Sequence, residues 1–234
     1  MSDLNHLDQL PIYDSSEPVC ATKPQFFTSE AILLTVHESC SISKLKHKYA
    51  IKSESGSWDF HCSGKLLSPF RGTKTLMDKS GIPIFKFWRR FTPMGNTFLI
   101  VDWATGRELC KFTTNPGRII NLALRVEFKD VVTERQRLLV LKGEWERKEA
   151  LVFLGDPDII HGNAKLIARI SKKPGGKSSS SSTLFRNDDY IIEIAPNVDI
   201  ALMVMLCIVF DTVKDNIQRV WNFPNVPIPA TKLK

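Results

Sequence analysis

Eleven consecutive apolar residues, Ile200-Ala-Leu-Met-Val-Met-Leu-Cys-Ile-Val-Phe210, stand between Asp199 and Asp211. Leu, Met and Ala favour helix. Asn197 and Asp199 supply N-cap chemistry, and Lys214 and Arg219 suit the C-terminal end of a helix over 198–215. Such a helix is apolar on every face, so it must be buried all round or lie in lipid. A spanning helix needs about 20 apolar residues. The run stops at eleven, so burial is expected and a spanning segment is not. Each large side chain buried there contributes roughly 1.5–3 kcal/mol.

The rest of the chain must supply the wrapping, and it reads as short strands joined by tight turns. Thr75–Met77 and Ile82–Trp88 flank Asp78-Lys-Ser-Gly81, and Asn96–Val101 and Glu108–Phe112 flank Asp102-Trp-Ala-Thr-Gly-Arg107. Both are hairpin signals, since Gly provides the positive φ that a tight turn needs. Further strand candidates are Trp58–Cys62, Asn121–Phe128, Leu138–Trp145, Ala150–Leu154, Leu166–Ile170 and Tyr190–Ala195. Strands at this spacing point to a sandwich or barrel. A closed sheet buries every face of one helix and leaves no exposed edge. The expected fold is therefore mainly β: a closed antiparallel β-barrel wrapped around a buried hydrophobic C-terminal helix.

The domain organisation follows. Residues 1–25 are polar and carry Pro11, Pro18 and Pro24, which reads as a mobile N-terminal arm. Residues 26–222 form a single domain, interrupted by a Ser-rich loop over 174–182. Residues 223–234, with Pro224, Pro227 and Pro229, form an extended tail. At 234 residues, one all-β domain accounts for the length.

Four segments resemble the LURP-one-related family, which belongs with the tubby C-terminal-like and phospholipid-scramblase-like folds. They are Phe60-His-Cys-Ser-Gly-Lys-Leu-Leu67, Met77-Asp-Lys-Ser-Gly-Ile-Pro-Ile84, Leu141-Lys-Gly-Glu-Trp145 and Tyr190-Ile-Ile-Glu-Ile-Ala-Pro-Asn-Val-Asp-Ile-Ala-Leu202. The last, running into the apolar helix, is the most specific, and the likeness covers roughly residues 30–220. The resemblance implies the same helix-threaded barrel. It also implies a relation to tubby proteins, which bind phosphoinositides through basic residues, and to membrane-associated scramblases. The Ser-rich loop, an insertion at Phe91–Gly95 and the Pro-rich tail depart from the plant members of the family.

Catalytic motifs fail individually. Gly176-Lys177-Ser178 lacks the first glycine of a phosphate loop, because position 171 is Ser171. His37-Glu38 does not continue into a zinc-binding helix, and no Gly-x-Ser-x-Gly elbow occurs. The five histidines are scattered, and Asp156-Pro-Asp158 reads as a turn. No catalytic residue, metal site or cofactor is expected.

The charge points elsewhere. Lys and Arg number 32 against 25 Asp and Glu, a net charge of +7, which favours an anionic partner. Lys86, Arg89 and Arg90 interleave with Phe85, Phe87, Trp88 and Phe91; alternation puts Phe85 and Phe87 on the core face and Lys86 on the other. Guanidinium groups match phosphate oxygens bidentately. A second cluster, Lys165, Arg169, Lys172, Lys173 and Lys177, precedes the serines. Lys86, Arg89, Arg90, Lys172 and Lys173 are thus the lipid-headgroup candidates. Each basic charge near an anionic membrane is worth about 1 kcal/mol, and phosphorylation of the serines would oppose it. The alternative for both clusters is a solvated strand surface.

The function expected is a non-enzymatic module binding a membrane surface or phosphoinositide headgroup. A protein-interaction scaffold with no lipid ligand is the alternative. Nucleic acid fits less well, for want of a recognition helix or an aromatic stacking signature. The five cysteines form no metal-ligand spacing, and their number is odd. A reduced compartment follows, cytoplasm with peripheral membrane association, or nucleus.

Overall fold

A computed structural model describes residues 11–13, 17–41, 46–65, 73–92, 95–114, 121–144, 149–159, 162–172 and 189–222. The strands are β1 (Ile32–Ser41), β2 (Lys46–Ser53), β3 (Asp59–Lys65), β4 (Lys74–Asp78), β5 (Pro83–Thr92), β6 (Gly95–Asp102), β7 (Glu108–Thr114), β8 (Asn121–Lys129), β9 (Gln136–Glu144), β10 (Glu149–Leu154), β11 (Lys165–Lys172) and β12 (Asp189–Ile194). One helix follows, α1 (Ile200–Asn222). Consecutive strands pair antiparallel, and β1 pairs with β12 from Ile32–Ile194 to His37–Asp189, closing the barrel. An eight-stranded barrel has room only for its own side chains. Twelve strands leave a lumen wide enough for a helix about 10 Å across.

The helix fills that lumen. Every side chain from Ile200 to Phe210 is buried. Each strand lines the lumen with alternate residues, such as Leu34 and Val36 on β1, Phe85 and Phe87 on β5, and Leu139 and Leu141 on β9. Packing is closest at Gly143 on β9, where an added Cβ would lie 2.4 Å from the Phe210 ring. The hairpin glycines Gly81 and Gly106 adopt φ of 80° and 69°, the left-handed conformation their turns require.

Three expectations change. The helix runs to Asn222 rather than 215. No Gly or Pro interrupts the chain after Asp211 before Pro224, the first residue unable to continue a helix. Strands β1 and β2 have no counterpart among the sequence candidates. Their inward alternation is broken by the buried Glu38 on β1 and flanked by Lys48 and Lys52 on β2. The arm is not mobile throughout, for Val19, Cys20 and Ala21 are buried.

Residues 17–28 stopper the barrel mouth over the helix N-terminus. Val19 N–H donates to the Asn197 carbonyl and Asp199 N–H to the Val19 carbonyl, both at 2.9 Å. Asp199 is the helix N-cap, accepting from Leu202 N–H at 3.0 Å through Oδ1. Its Oδ2 accepts from the amides of Ala21 and Thr22 and from the Thr22 hydroxyl, at 3.1, 2.9 and 2.6 Å. One carboxylate therefore caps the helix and pins the stopper. The Ser-rich loop, the tail and residues 1–10 lie outside the described residues.

Candidate functional site

Two polar regions stand out, one inside the barrel and one at its mouth. Inside, Lys74 on β4 is buried, and the missing Cβ of Gly64 leaves room for its stem. Lys74 Nζ donates to Tyr49 Oη at 3.0 Å and to Thr212 Oγ1 at 2.7 Å, and lies 4.7 Å from the centre of the Tyr49 ring. Tyr49 and Tyr190 donate their phenol protons to the two oxygens of Asp211, at 3.0 and 2.5 Å. Cation, phenols and carboxylate satisfy one another and lock the helix to β2, β4 and β12. This network belongs to the fold rather than to a ligand site.

The mouth where the helix enters is built differently. Five hairpins reach it, β2–β3, β4–β5, β6–β7, β8–β9 and β10–β11. The β2–β3 turn is polar, whereas each of the other four opens with an aspartate whose Oδ1 accepts from its own turn. Asp78 takes the amides of Ser80 and Ile82, and Asp102 takes the amide and hydroxyl of Thr105. Asp130 takes the amides of Val132 and Thr133, and Asp156 the amide of Asp158. Such side-chain-to-backbone bonds fix turns. They also fold the negative charge back onto the backbone.

The tips then present large apolar side chains to solvent. Ile82 is 61% exposed, Trp103 46%, Val132 44% and Ile159 60%. Leu33, at the start of β1, is also exposed at this end. Scattered exposed apolar residues are ordinary, but one at each of four adjacent tips is a patterned surface. Cations accompany them: Lys79, Arg107, Lys129 and Arg135 are exposed on the same hairpins. Glu134 lies 3.7 Å from Lys129. Further carboxylates are engaged as well. Asp102 Oδ2 meets Lys23 at 3.2 Å, and Asp156 Oδ2 meets Arg125 at 2.6 Å. The turn amides, the Thr105 hydroxyl and Lys23 hold the Asp102 carboxyl below its ordinary range against the effect of burial, and Arg125 does the same for Asp156.

The sequence candidates divide. Lys86 joins the mouth region: it is partly buried on the outer face, with Nζ 5.7 Å from the centre of the Trp103 ring. Arg90 is exposed farther along β5, toward the opposite end. Arg89 and Arg90 do not follow the strand, as the sequence suggested. They lie within it, registered against Phe98 and Thr97. Lys172 ends β11, registered against Tyr190. The side chains of Arg89 and Lys172, and the whole of Lys173, fall outside the described residues. Because β5 and β11 sit six strands apart in a twelve-stranded ring, the two clusters occupy opposite sides of the barrel. They cannot form one site. The apolar tips carry little local signal in sequence, since each sits in a turn.

The family model for LURP-one-related proteins matches residues 32–211, from the first residue of β1 to the buried Asp211. The chain belongs to the LURP-one-related family. Among curated proteins, LURP-one-related 1 of Arabidopsis thaliana is 20% identical over 149 residues, which span 62% of each chain. Among solved structures, an Arabidopsis thaliana protein superposes with a TM-score of 0.51 at 16% identity, covering 82% of this chain and 97% of the other. This LURP-one-related barrel therefore shares its fold with a solved plant structure. Among the described residues, no helix is long and apolar enough to cross a membrane.

Proposed function

We propose that this LURP-one-related chain is a non-enzymatic module that docks on anionic membrane surfaces, with the helix-entry mouth of the barrel against the lipid. One observation carries the reading: four adjacent hairpin tips expose Ile82, Trp103, Val132 and Ile159 while their aspartates fold inward. Trp is suited to the membrane interface. Apolar insertion and attraction of nearby cations to anionic lipid reinforce each other. Lys86 beside Trp103 is the headgroup candidate in this reading.

Co-sedimentation with vesicles tests it. The protein is expected to pellet with phosphatidylserine or phosphoinositide vesicles at low salt. Ile82→Ser with Trp103→Ser is expected to weaken this by about tenfold or more. Arg89→Ala with Arg90→Ala separates a headgroup site on β5 from the mouth. Binding indifferent to the tip changes would contradict the proposed orientation.

A second reading, a protein-interaction scaffold, has its own support. The outer face of β2–β3–β4 carries a trough of about 590 Å³, where Ala50, Ser63 and Thr75 lie between Lys48 and Met77. Small side chains there leave space for an extended peptide. Failure to bind any vesicle at low salt would favour this reading.

A further inference from the structure

We propose that a cavity at the helix-entry mouth is a pocket for a phosphate monoester, and that Glu17 is its built-in occupant. The pocket deepens the membrane reading when the phosphate belongs to a lipid, but stands on its own geometry. The cavity, about 390 Å³, opens beside the β8–β9 and β10–β11 hairpins and is lined in part by Tyr13, Glu17, Gln136, Arg137, Asn163 and Lys165. Arg137 Nη2 donates to Glu17 Oε2 at 2.8 Å, and Arg135 Nη1 lies 3.4 Å from both Glu17 oxygens. Lys165 donates from Nζ to Tyr13 Oη at 2.6 Å. The Arg137 hydrogen bond, Arg135 and Lys165 together hold the Glu17 carboxyl below its ordinary range.

Two guanidinium groups thus meet one carboxylate, and Lys165 lines the same cavity. The other acid nearby, Asp130, has its oxygens taken by the amides of Cys20, Val132 and Thr133 and lies 3.9 Å from Arg137 Nε. That Nε is buried and makes no hydrogen bond among the described residues. Among the described residues, Arg135, Arg137 and Lys165 thus stand against the two carboxylates of Glu17 and Asp130. A carboxylate spends one negative charge where a phosphate monoester brings nearly two and three acceptor oxygens. An arginine fork with a lysine point charge is the usual match for such a group. Glu17 is half exposed, so it can swing into water when the phosphate enters. Gln136 and Asn163, both exposed at the lining, can meet hydroxyl groups on whatever carries the phosphate.

A lipid headgroup and a soluble phosphate monoester share this chemistry, so both are tested on the full chain. Calorimetry with inositol trisphosphate, with myo-inositol as control, reads the pocket alone. Vesicles with and without phosphatidylinositol 4-phosphate read the lipid source. Glu17→Gln is expected to tighten trisphosphate binding roughly fivefold, because a competing ion pair is lost. Arg137→Gln is expected to weaken it tenfold or more. Lys165→Gln, which leaves the buried guanidinium in place, is expected to weaken it several-fold and serves if Arg137→Gln fails to fold. Unchanged affinity in Glu17→Gln and Lys165→Gln, or no trisphosphate binding, overturns the pocket even if vesicles bind through the tips. Trisphosphate binding that obeys the three variants without any vesicle binding supports the pocket and overturns the membrane reading.

Discussion

Gly143 and Phe210 meet where the barrel wall touches the central helix. An added Cβ at Gly143 would lie 2.4 Å from one ring carbon, 2.9 Å from a second and 3.2 Å from the Ala150 side chain. The helix cannot retreat, since it is packed on all sides. Gly143→Ala is expected to destabilise the protein by about 1–3 kcal/mol, the usual cost of overpacking. Phe210→Leu in the same chain should recover part of that loss, because the two sites share one volume. Urea unfolding checks both, and an unchanged midpoint in Gly143→Ala would show that the helix sits farther from β9.

The lysine network makes a different prediction. Lys74→Met keeps the stem but removes the charge that faces Tyr49, Thr212 and, through Tyr49, Asp211. Removing the charged donor of two buried hydrogen bonds costs about 1.5–3 kcal/mol. Adding Asp211→Asn should cost less than the sum of the two single changes. Strict additivity in a double-mutant cycle would show that lysine and carboxylate do not communicate.

Asp199 sets a pH dependence. Burial pushes its carboxyl up to about 6, although the Thr22, Leu202 and Ala21 donors oppose the rise. A raised carboxyl pKa means the folded state binds the proton more tightly than the unfolded chain. The charged form therefore costs stability above pH 6, and that cost is relieved as pH falls from about 6 towards the ordinary value near 4. From pH 7.5 to 5, the wild type should gain roughly 1 kcal/mol relative to Asp199→Asn. Asp102 and Asp156, whose pKa values are lowered, act in the opposite sense at more acid pH. Parallel pH profiles for wild type and Asp199→Asn would contradict this assignment.

These residues also show what could be read from the chain and what could not. The helix declared itself through eleven apolar residues between two aspartates. Ten strands did so through alternation or through turn residues such as Gly81 and Gly106. Strands β1 and β2 stayed hidden because Glu38 occupies an inward position and lysines crowd the outer face of β2. The stopper was obscured by its prolines, yet Val19-Cys-Ala21 is an apolar triplet in a polar arm, a signal of burial that could have been used. Lys74 carries no local mark, since its partners lie 25 and 138 residues away. In sequence, three tips, at Asp78–Gly81, Asp102–Arg107 and Asp156–Asp158, read only as turns, and the tip at Asp130–Arg135 gives no signal of its own. Their aspartates were visible, but which neighbour each turn would push into solvent depends on the fold.

Hydrogen exchange with and without anionic vesicles reads the docking orientation itself. Exchange is expected to slow at the four tips, around 79–82, 103–107, 131–135 and 156–159, with the helix over 200–213 protected in both conditions. Vesicle-induced protection confined to β5 near Arg90 or to β11, with the tips unchanged, would contradict that orientation.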